Sequence, residues 1–322
     1  VTVSGSVGCA FFPADGKDSE TLVRHADTAM YHAKAQGKNC MAFFKPEMST
    51  TDQAFLRLDQ EMRSAIANDR FCLYFQPKID LASGEICGVE ALMRWLEQSP
   101  KGIKFHSCPD EFIPIAESTG FITQLDLYAL DQACMVARQW ELKGRSLPVA
   151  VNLSVVLLQK DNVVELIANI INKYELTPSL IEFEITESAV MTEVESNVIK
   201  LGQLREMGFR ISIDDFGTGY SSLSYLKKLP INCLKIDRSF ISDVKSIKSD
   251  ESIDAAIVRS VVALGKSLDL ILVAEGVESR AQMDMIRQLG CEQAQGFLFA
   301  RPLPLDELEL LLEHERGYCR VA

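Results

Sequence analysis

Two adjacent aspartates, Asp214 and Asp215, lie where an apolar stretch predicted as a buried strand gives way to glycines. Side chains alternate along a regular strand, so neighbouring carboxylates can converge on one centre only where the strand stops and the backbone turns. Gly217 and Gly219 follow and permit that turn. Burying two carboxylates side by side is costly unless cations compensate them. The stretch therefore suggests a divalent metal site, and a solvated surface turn is the alternative that it leaves open.

The elements that must position these aspartates are short apolar strands alternating with amphipathic helices, from Phe71 onward. Eight such strands over about 250 residues are typical of a (β/α)₈ barrel of the TIM type. An open doubly wound sheet is the alternative, but no G-x-G-x-x-G follows an early strand. The connection between the first two strands is too short for a helix, which predicts an antiparallel pair. The predicted strands are 71–76, 86–92, 149–153, 181–185, 209–213, 231–236, 270–274 and 292–297, and three of the helices are predicted to end at Gly208, Gly265 and Gly290.

The residues at the ends of these strands form a set that is mostly carboxylates and amides. In a barrel the strand ends share one mouth, so these side chains are expected to lie together. Oxygen donors of this kind suit Mg²⁺ or Mn²⁺ rather than Zn²⁺. The carboxylates outnumber what one divalent ion would balance, which favours two ions, a known arrangement for phosphodiester cleavage. The set comprises Gln76, Glu90, Arg94, Asn152, Glu184, Glu187, Asp214, Asp215, Lys235, Asp237, Glu275, Glu278 and Gln295.

Each residue type in this set has an expected role. The predicted metal ligands are Glu90, Asn152, Glu184, Asp214, Asp215 and Glu275. Lys235 is predicted to hold or help deprotonate the attacking water, with a structural salt bridge to Asp237 or another acid as the alternative. Arg94 is predicted to grip a phosphate. Glu187 is expected to brace the loop after Asp215, and Glu278 to be an acid at a helix start.

Composition and charge disfavour several other classes of protein. The chain has 322 residues, of which 47% are hydrophobic and 24% charged, as in soluble globular proteins of one or two domains. A formal net charge of −12 argues against binding of nucleic-acid polymers. None of the four histidines is near Asp214 in sequence, which gives little support to a Ser-His-Asp triad or a histidine-rich zinc site.

The cysteines and the first residues of the chain indicate where in the cell the protein is expected. The nine cysteines are scattered without a C-x-x-C pair and are predicted to be free, buried thiols, which fits the cytoplasm. No apolar run is long enough to span a bilayer. Because the chain opens with Val1 inside a predicted strand, it is expected to be part of a longer protein, in which upstream segments could provide an anchor to the inner membrane.

The strand-end motifs resemble those of the EAL family of cyclic-di-GMP phosphodiesterases over about residues 55–313. The resemblance implies hydrolysis of cyclic-di-GMP to linear pGpG with two Mg²⁺ or Mn²⁺ ions. The sequence differs slightly from the family pattern, for example at Asn232, where an Asp is usual before Lys235, but none of these differences falls on a predicted metal ligand. The matching motifs are Glu90-Ala91-Leu92-Met93-Arg94-Trp95, Asn152-Leu153-Ser154, Glu184-Ile185-Thr186-Glu187-Ser188, Asp214-Asp215-Phe216-Gly217-Thr218-Gly219, Leu234-Lys235-Ile236-Asp237, Ala274-Glu275-Gly276-Val277-Glu278 and Gln295-Gly296-Phe297.

By position, the resemblance implies roles for individual residues. It assigns the catalytic role to Lys235 with Glu90, Glu275 and Glu187, and it places the six predicted ligands on the metals. Glu187 would anchor the loop from Phe216 to Leu223, which in this family couples dimerisation to activity, so a homodimer is expected. Contacts with the substrate are implied for Gln76, Leu92, Arg94, Asp237 and Gln295.

The N-terminal region resembles the end of a GGDEF diguanylate cyclase domain, through Ala26–Lys34 and Gly37-Lys38-Asn39. The GGDEF signature itself is absent, so this segment is not expected to make cyclic-di-GMP. The predicted organisation is a small β-α-β fragment over 1–48, a connecting helix over 49–68 and the EAL barrel over 69–322. Upstream GGDEF and sensory domains are expected in the intact protein. A catalytically silent cyclic-di-GMP receptor is the alternative function, and it is disfavoured because no expected catalytic residue is missing.

Overall fold

The strands in the described part of the chain form one sheet of two strands and one of nine. This computed structural model describes residues 5–35, 40–99, 102–218, 223–242 and 253–313. The strands are β1 (Val7–Cys9), β2 (Met41–Phe43), β3 (Phe71–Asp80), β4 (Ile86–Ser99), β5 (Gly102–Ser107), β6 (Val149–Asn152), β7 (Ile181–Thr186), β8 (Arg210–Phe216), β9 (Cys233–Ile236), β10 (Ile271–Ala274) and β11 (Gln293–Ala294). The helices are α1 (Ser19–Ala35), α2 (Pro46–Ala67), α3 (Pro109–Thr119), α4 (Ile122–Leu142), α5 (Val155–Leu158), α6 (Val163–Lys173), α7 (Glu187–Val190), α8 (Val194–Glu206), α9 (Leu223–Leu226), α10 (Ser239–Ser242), α11 (Ile253–Ser267), α12 (Arg280–Leu289) and α13 (Leu305–Glu313).

Eight of these strands close into a barrel. They lie side by side in the order β3, β11, β10, β9, β8, β7, β6, β4, and the pairing of β3 with β4 completes the ring. The neighbours from β4 round to β11 run parallel, whereas β3 is antiparallel to β11. The predicted barrel with a reversed first strand is therefore confirmed.

The core follows from the apolar spacing of strands and helices. Val163, Ile167 and Ile171 recur along one face of α6 and are buried. Leu201 and Leu204 do the same on α8. These faces belong to one cluster with the apolar residues of the strands. Because the helices pack tightly against the strands, the backbone at the strand ends is held in place, and side chains there keep constant positions.

Several predicted strand bounds were wrong. The first barrel strand runs on to Asp80 and the second to Ser99, beyond the predicted ends at 76 and 92. The extension of β4 arises because its last residues pair with β5 in an antiparallel hairpin. The last strand is only Gln293–Ala294, shorter than the predicted 292–297. Pairing with a partner strand, and not the apolar pattern of the strand itself, sets these ends.

The three predicted helix-ending glycines had different outcomes. Gly290 caps α12 in a left-handed conformation, as predicted, and Gly208 follows the end of α8 with a φ of 102°. Gly265 lies inside α11, which continues to Ser267, so this prediction was wrong. A Cβ at Gly265 would lie 2.5 Å from Leu272, so this glycine allows the helix to approach β10 closely.

The chain divides into two compact units, residues 1–71 with 95–122 and residues 72–94 with 123–322. In the first unit, β1 pairs in parallel with β2, and Ala29 and Ala33 of α1 pack into a small core with Phe44. The predicted β-α-β fragment is thus present. Its first strand is Val7–Cys9, whereas the predicted strand that contains Val1 falls largely on residues 1–4, which lie outside the described residues, as does Gly37. The next helix begins at Pro46 and not Ser49, because proline is well suited to a first helical turn.

Two further expectations concern thiols and membranes. Among the described cysteines, Cys134, Cys233 and Cys291 are buried, and all eight are free. Cys108 is exposed, so the prediction of buried thiols holds only in part. Within the described ranges, no helix is both long and apolar enough to cross a membrane.

Candidate active site

Lys235 lies at the centre of the predicted acids. It comes from the fully buried strand β9, and its side chain is inaccessible to solvent. The four acids around it come from β4, β7, β8 and the residue after β10. Lys235 Nζ lies 2.6 Å from Glu275 Oε1, 2.7 Å from Glu184 Oε2, 3.1 Å from Asp214 Oδ1 and 3.5 Å from Glu90 Oε2. Lys235 thus forms the salt bridges to neighbouring acids that were the alternative expectation for it. These four acids, Glu90, Glu184, Asp214 and Glu275, form a ring around Lys235 that is called the acid ring below.

Glu184 is held by two buried lysines. Its Oε2 accepts from Lys235, and its Oε1 accepts from Lys78 Nζ at 2.7 Å. Lys78 also donates to Glu182 Oε1 at 3.0 Å, and the hydroxyl of Ser212 donates to the same oxygen. The sequence analysis did not single out Lys78 or Glu182. A signal existed, because Glu182 and Glu184 are two apart on one strand and therefore share a face, as do Gln76 and Lys78.

Amide side chains surround Glu90. Asn152 Nδ2 lies 3.4 Å from Glu90 Oε1, and Gln295 Nε2 donates to Glu90 Oε2 at 2.6 Å. Gln295 Nε2 also approaches Gln76 Oε1 at 2.9 Å, and Gln76 donates to the carbonyl of Ala300. Gln76 was expected at a strand end, but it lies inside β3. It still joins this group because β3 runs in the opposite direction.

Asp214 and Asp215 converge through a break within β8, not through the glycines after it. The pairing of β8 with β9 shifts between Ile213 and Phe216, and Asp215 adopts a left-handed φ of 53°. Aspartate tolerates this conformation better than most residues. As a result, one carboxylate oxygen each of Asp214, Asp215 and Glu275 lies within 4.8 Å of the other two. The predicted convergence is confirmed, and the predicted cause was wrong.

Glycines shape the turns on either side of this cluster. Gly276 follows Glu275 with a φ of 64°, and a Cβ there would lie 2.4 Å from Arg238 Cβ. Gly217 has a φ of 100°, and its N–H donates to Glu187 Oε2 at 2.8 Å. Glu187 therefore contacts the loop after Asp215, as expected of a bracing residue.

The remaining predicted residues, Leu92, Arg94 and Asp237, have the following surroundings. Leu92 is partly buried on β4, and the guanidinium of Arg94 lies 5.7 Å from the centre of the Tyr74 ring. Arg94 also donates to the carbonyl of Met93. Asp237 follows β9, and its Oδ1 accepts from the backbone N–H of Ser239 at 3.0 Å, at the start of α10.

Burial and mutual repulsion set the charge states of the ring. Burial, followed by the charge of Glu184, raises the pKa of Glu90 to about 7. Burial also raises the pKa of Glu275 to about 8, although Lys235 opposes the shift. Burial acts in the same direction on Glu184, but Lys235 and Lys78 outweigh it and lower its pKa. The surrounding acids hold the pKa of Lys235 well above its usual value despite burial, so its ammonium stays protonated.

The donor set fits a divalent cation. Carboxylates from β4, β7 and β8 and from the residue after β10 lie close together, and three of them, those of Glu90, Asp215 and Glu275, have raised pKa values, which a bound cation would lower. Gln295 Oε1 is buried without a hydrogen-bond partner among the described groups, so it has a free acceptor beside Glu90. This combination offers a divalent cation oxygen ligands rather than thiol and imidazole ligands.

A barrel with one reversed strand and an acid ring around a buried lysine defines a family of signalling domains. The sequence model described as "EAL domain" matches residues 59–302, and the chain belongs to this family. Residues 1–40 match "Diguanylate cyclase, GGDEF domain", so a fragment of that domain precedes the barrel.

The chain is similar to several named bacterial proteins. It is 43% identical over 309 residues to the bifunctional diguanylate cyclase/cyclic di-GMP phosphodiesterase MucR of Pseudomonas aeruginosa, covering 96% of this chain and 44% of that protein. It is 39% identical to the cyclic di-GMP phosphodiesterase NbdA of the same organism, covering 98% of this chain and 40% of that protein. The chain thus spans less than half the length of these relatives.

A solved structure described as the PaMucR phosphodiesterase in complex with c-di-GMP is similar to this chain. The TM-score is 0.72 at 43% identity, covering 78% of this chain and 99% of that one.

Proposed function

We propose that this chain hydrolyses cyclic-di-GMP to linear 5′-pGpG in bacterial second-messenger signalling. One observation carries the proposal: every predicted metal-binding acid and Lys235 meet at one end of the barrel, with Lys235 within 3.5 Å of four of them. The family and its named phosphodiesterase relatives support the choice of substrate.

The residues that would hold the metal are Glu90, Asn152, Glu184, Asp214, Asp215 and Glu275, and we infer two Mg²⁺ or Mn²⁺ ions. When bound, such ions would supply charge neutralisation for the phosphodiester and activation of a water. Asp214, Asp215 and Glu275 already have oxygens in mutual reach, which supports their assignment as ligands.

Lys235 acts as a cationic donor. Its ammonium stays protonated among the acids, so it offers N–H groups and positive charge to the attacking water or to a phosphate oxygen, and it does not take up a proton. Arg94 binds a phosphate on the substrate side, and Leu92 and Asp237 line the substrate. Gln76 and Gln295 orient the nucleotide next to Glu90, and Glu187 holds the loop after Asp215.

In the hydrolysis, the water oxygen bonds to phosphorus and the P–O3′ bond breaks. The 3′ oxygen leaves as a hydroxyl, and the phosphate remains on the 5′ side as pGpG.

The proposal extends to organisation. We infer domains at 1–48, 49–68 and 69–322, a homodimer formed through the barrel domain, and a cytoplasmic location with upstream GGDEF and sensory segments.

The raised pKa values of Glu90 and Glu275 support metal binding, because buried acids that lie close together repel one another when they are ionised and no cation is bound.

The decisive experiment is incubation with cyclic-di-GMP and Mg²⁺, with and without a chelator, followed by chromatography of the products. We expect pGpG with Mg²⁺ and unchanged substrate with the chelator. Binding of cyclic-di-GMP without any product would contradict the proposal and identify a catalytically silent receptor.

A further inference from the structure

Lys78 is a buried cation beneath the acid ring. It lies on β3, the reversed strand, and is only 3% exposed. Its ammonium crosses the barrel interior to β7, where it contacts Glu184 Oε1 at 2.7 Å and Glu182 Oε1 at 3.0 Å. In the barrel order β3, β4, β6, β7, these two strands are not neighbours. The contact is therefore a bridge across the barrel and not a neighbouring-strand pair.

This bridge fixes the orientation of Glu184. With Oε1 bound to Lys78, the carboxylate cannot rotate freely, and Oε2 faces Lys235 at 2.7 Å. Glu184 is only 1% exposed, so water has little access to replace either contact. Removal of Lys78 would leave Oε1 without this donor and free the carboxylate to turn.

A contribution to folding stability does not by itself explain why Lys78 is buried beside Glu182 and Glu184. Burial disfavours the ammonium of Lys78, but Glu182 and Glu184 together outweigh it and raise its pKa. Buried ion pairs of this kind are often no more stabilising than apolar residues of similar volume. Lys78 and Glu182 also line a cavity of about 20 Å³ at the amino ends of the parallel strands, which is room for about one water molecule.

We propose that Lys78 is a positioning residue for the reaction: it holds Glu184 Oε1 so that Oε2 is presented to the metal site. This inference rests on the proposed function for its kinetic consequence. Lys78 itself touches neither the substrate nor the reacting atoms.

The test compares Lys78→Met, the double variant Lys78→Met/Glu182→Met and Lys173→Met. Lys173 pairs with Asp131 and is 58% exposed, so its variant controls for loss of a surface ion pair. The double variant removes one buried charge of each sign, which spares the fold while leaving Glu184 without Lys78. Three quantities are measured: urea unfolding of the metal-free protein, the electron paramagnetic resonance spectrum of the Mn²⁺-saturated protein, and kcat and KM for cyclic-di-GMP.

We expect the double variant to unfold like the wild type, with an altered Mn²⁺ spectrum and a kcat reduced at least about 10-fold, the usual effect of removing a group that orients a metal ligand. KM should change less than about 2-fold, because Lys78 does not touch the substrate. Lys173→Met should match the wild type throughout. A double variant with a wild-type spectrum and kcat would show that Lys78 only neutralises Glu182 and would overturn the proposal. A double variant that cannot fold would assign Lys78 to the fold and overturn it as well.

The two proposals fail separately. If the wild type binds Mn²⁺ but hydrolyses no cyclic-di-GMP, the proposed function fails. The Mn²⁺ spectra of the wild type and the double variant still decide whether Lys78 positions Glu184.

Discussion

Glu187 Oε2 accepts the backbone N–H of Gly217 at 2.8 Å, which ties the first residue of α7 to the turn after β8. Glu187 is only 3% exposed, whereas Gly217 is exposed, so the bond joins a buried side chain to an exposed turn. The turn it holds begins two residues after Asp215, whose backbone is already left-handed. The position of one aspartate at the centre of the site thus depends on a carboxylate from the preceding strand–helix unit.

We expect Glu187→Ala to lower kcat at least about 10-fold and to reduce the free energy of unfolding by about 1 kcal/mol, because the turn after Asp215 loses the carboxylate that accepts the Gly217 N–H. Steady-state kinetics and urea unfolding would measure both effects. Glu195→Ala, at an exposed position on α8, is the control and should behave like the wild type. Unchanged kcat in Glu187→Ala would show that the bond to Gly217 has no part in activity.

Glu90→Ala should abolish hydrolysis while the protein stays folded. Glu90 contacts Lys235, Asn152 and Gln295, so its loss removes a predicted ligand and the anchor of two amides. We expect turnover below about 1% of wild type, since changes even to outer partners of metal ligands cost about 10–100-fold. Product chromatography and circular dichroism would check this, with the exposed Glu85→Ala as control. Normal turnover in Glu90→Ala would remove the proposed mechanism.

Lys235→Met should destabilise the metal-free protein. Four acids lose a buried cation, and breaking a buried pair costs about 3–5 kcal/mol. Mn²⁺ should restore much of this loss because it offers replacement charge, whereas activity should stay absent. Urea unfolding with and without Mn²⁺ measures the difference. Lys143→Met, which removes a surface pair that is 62% exposed on the lysine side, should cost less than about 1 kcal/mol. Equal stability of the two variants would contradict the central place of Lys235.

Mn²⁺ affinity should rise with pH through the range in which Glu90 and Glu275 lose their protons. Their pKa values are raised to about 7 and about 8, and a cation binds the deprotonated forms. Below that range, binding must release protons, and above it binding should release almost none. Calorimetric titrations in buffers of different ionisation enthalpy would count the protons. Affinity independent of pH would show that neither acid meets the cation.

The same pKa shifts fix the sign of the stability change. Because the folded pKa values of Glu90 and Glu275 lie above the unfolded value of 4.5, the folded state binds more protons between 4.5 and about 8. The stability of the metal-free protein should therefore fall as pH rises through this window. Glu184, with a lowered pKa, acts in the opposite direction and only at acidic pH. Unfolding measured at several pH values, with Mn²⁺ as the comparison, tests this.

Much of the fold and site could be predicted from sequence because both depend on local periodicity. Alternating apolar strands and helices predicted the barrel, and polar residues after apolar runs predicted its mouth. Asn152 is the last residue of β6, and Glu275 follows β10 directly. Once the barrel is accepted, such residues converge by topology alone.

What sequence could not provide depends on contacts across the barrel. Lys78 stands in an apolar strand, and its partners are on a strand that is not its neighbour, so no local pattern pairs them. The left-handed backbone of Asp215 arises from the register shift between β8 and β9, which is a property of the pair of strands. The extension of β4 has a different cause, because it depends on the antiparallel hairpin with the next strand, β5.

The reversed strand also affects how the chain can be re-engineered. Because β3 runs against its neighbours, the turn that leads from it to β4 lies at the barrel end remote from the acids. That turn is held by Asp80 Oδ1, which accepts from the backbone of Ala82 and Ser83, and both of these residues are exposed. An inserted fluorescent reporter would be accommodated in this exposed turn without disturbing the acids at the other end of the barrel.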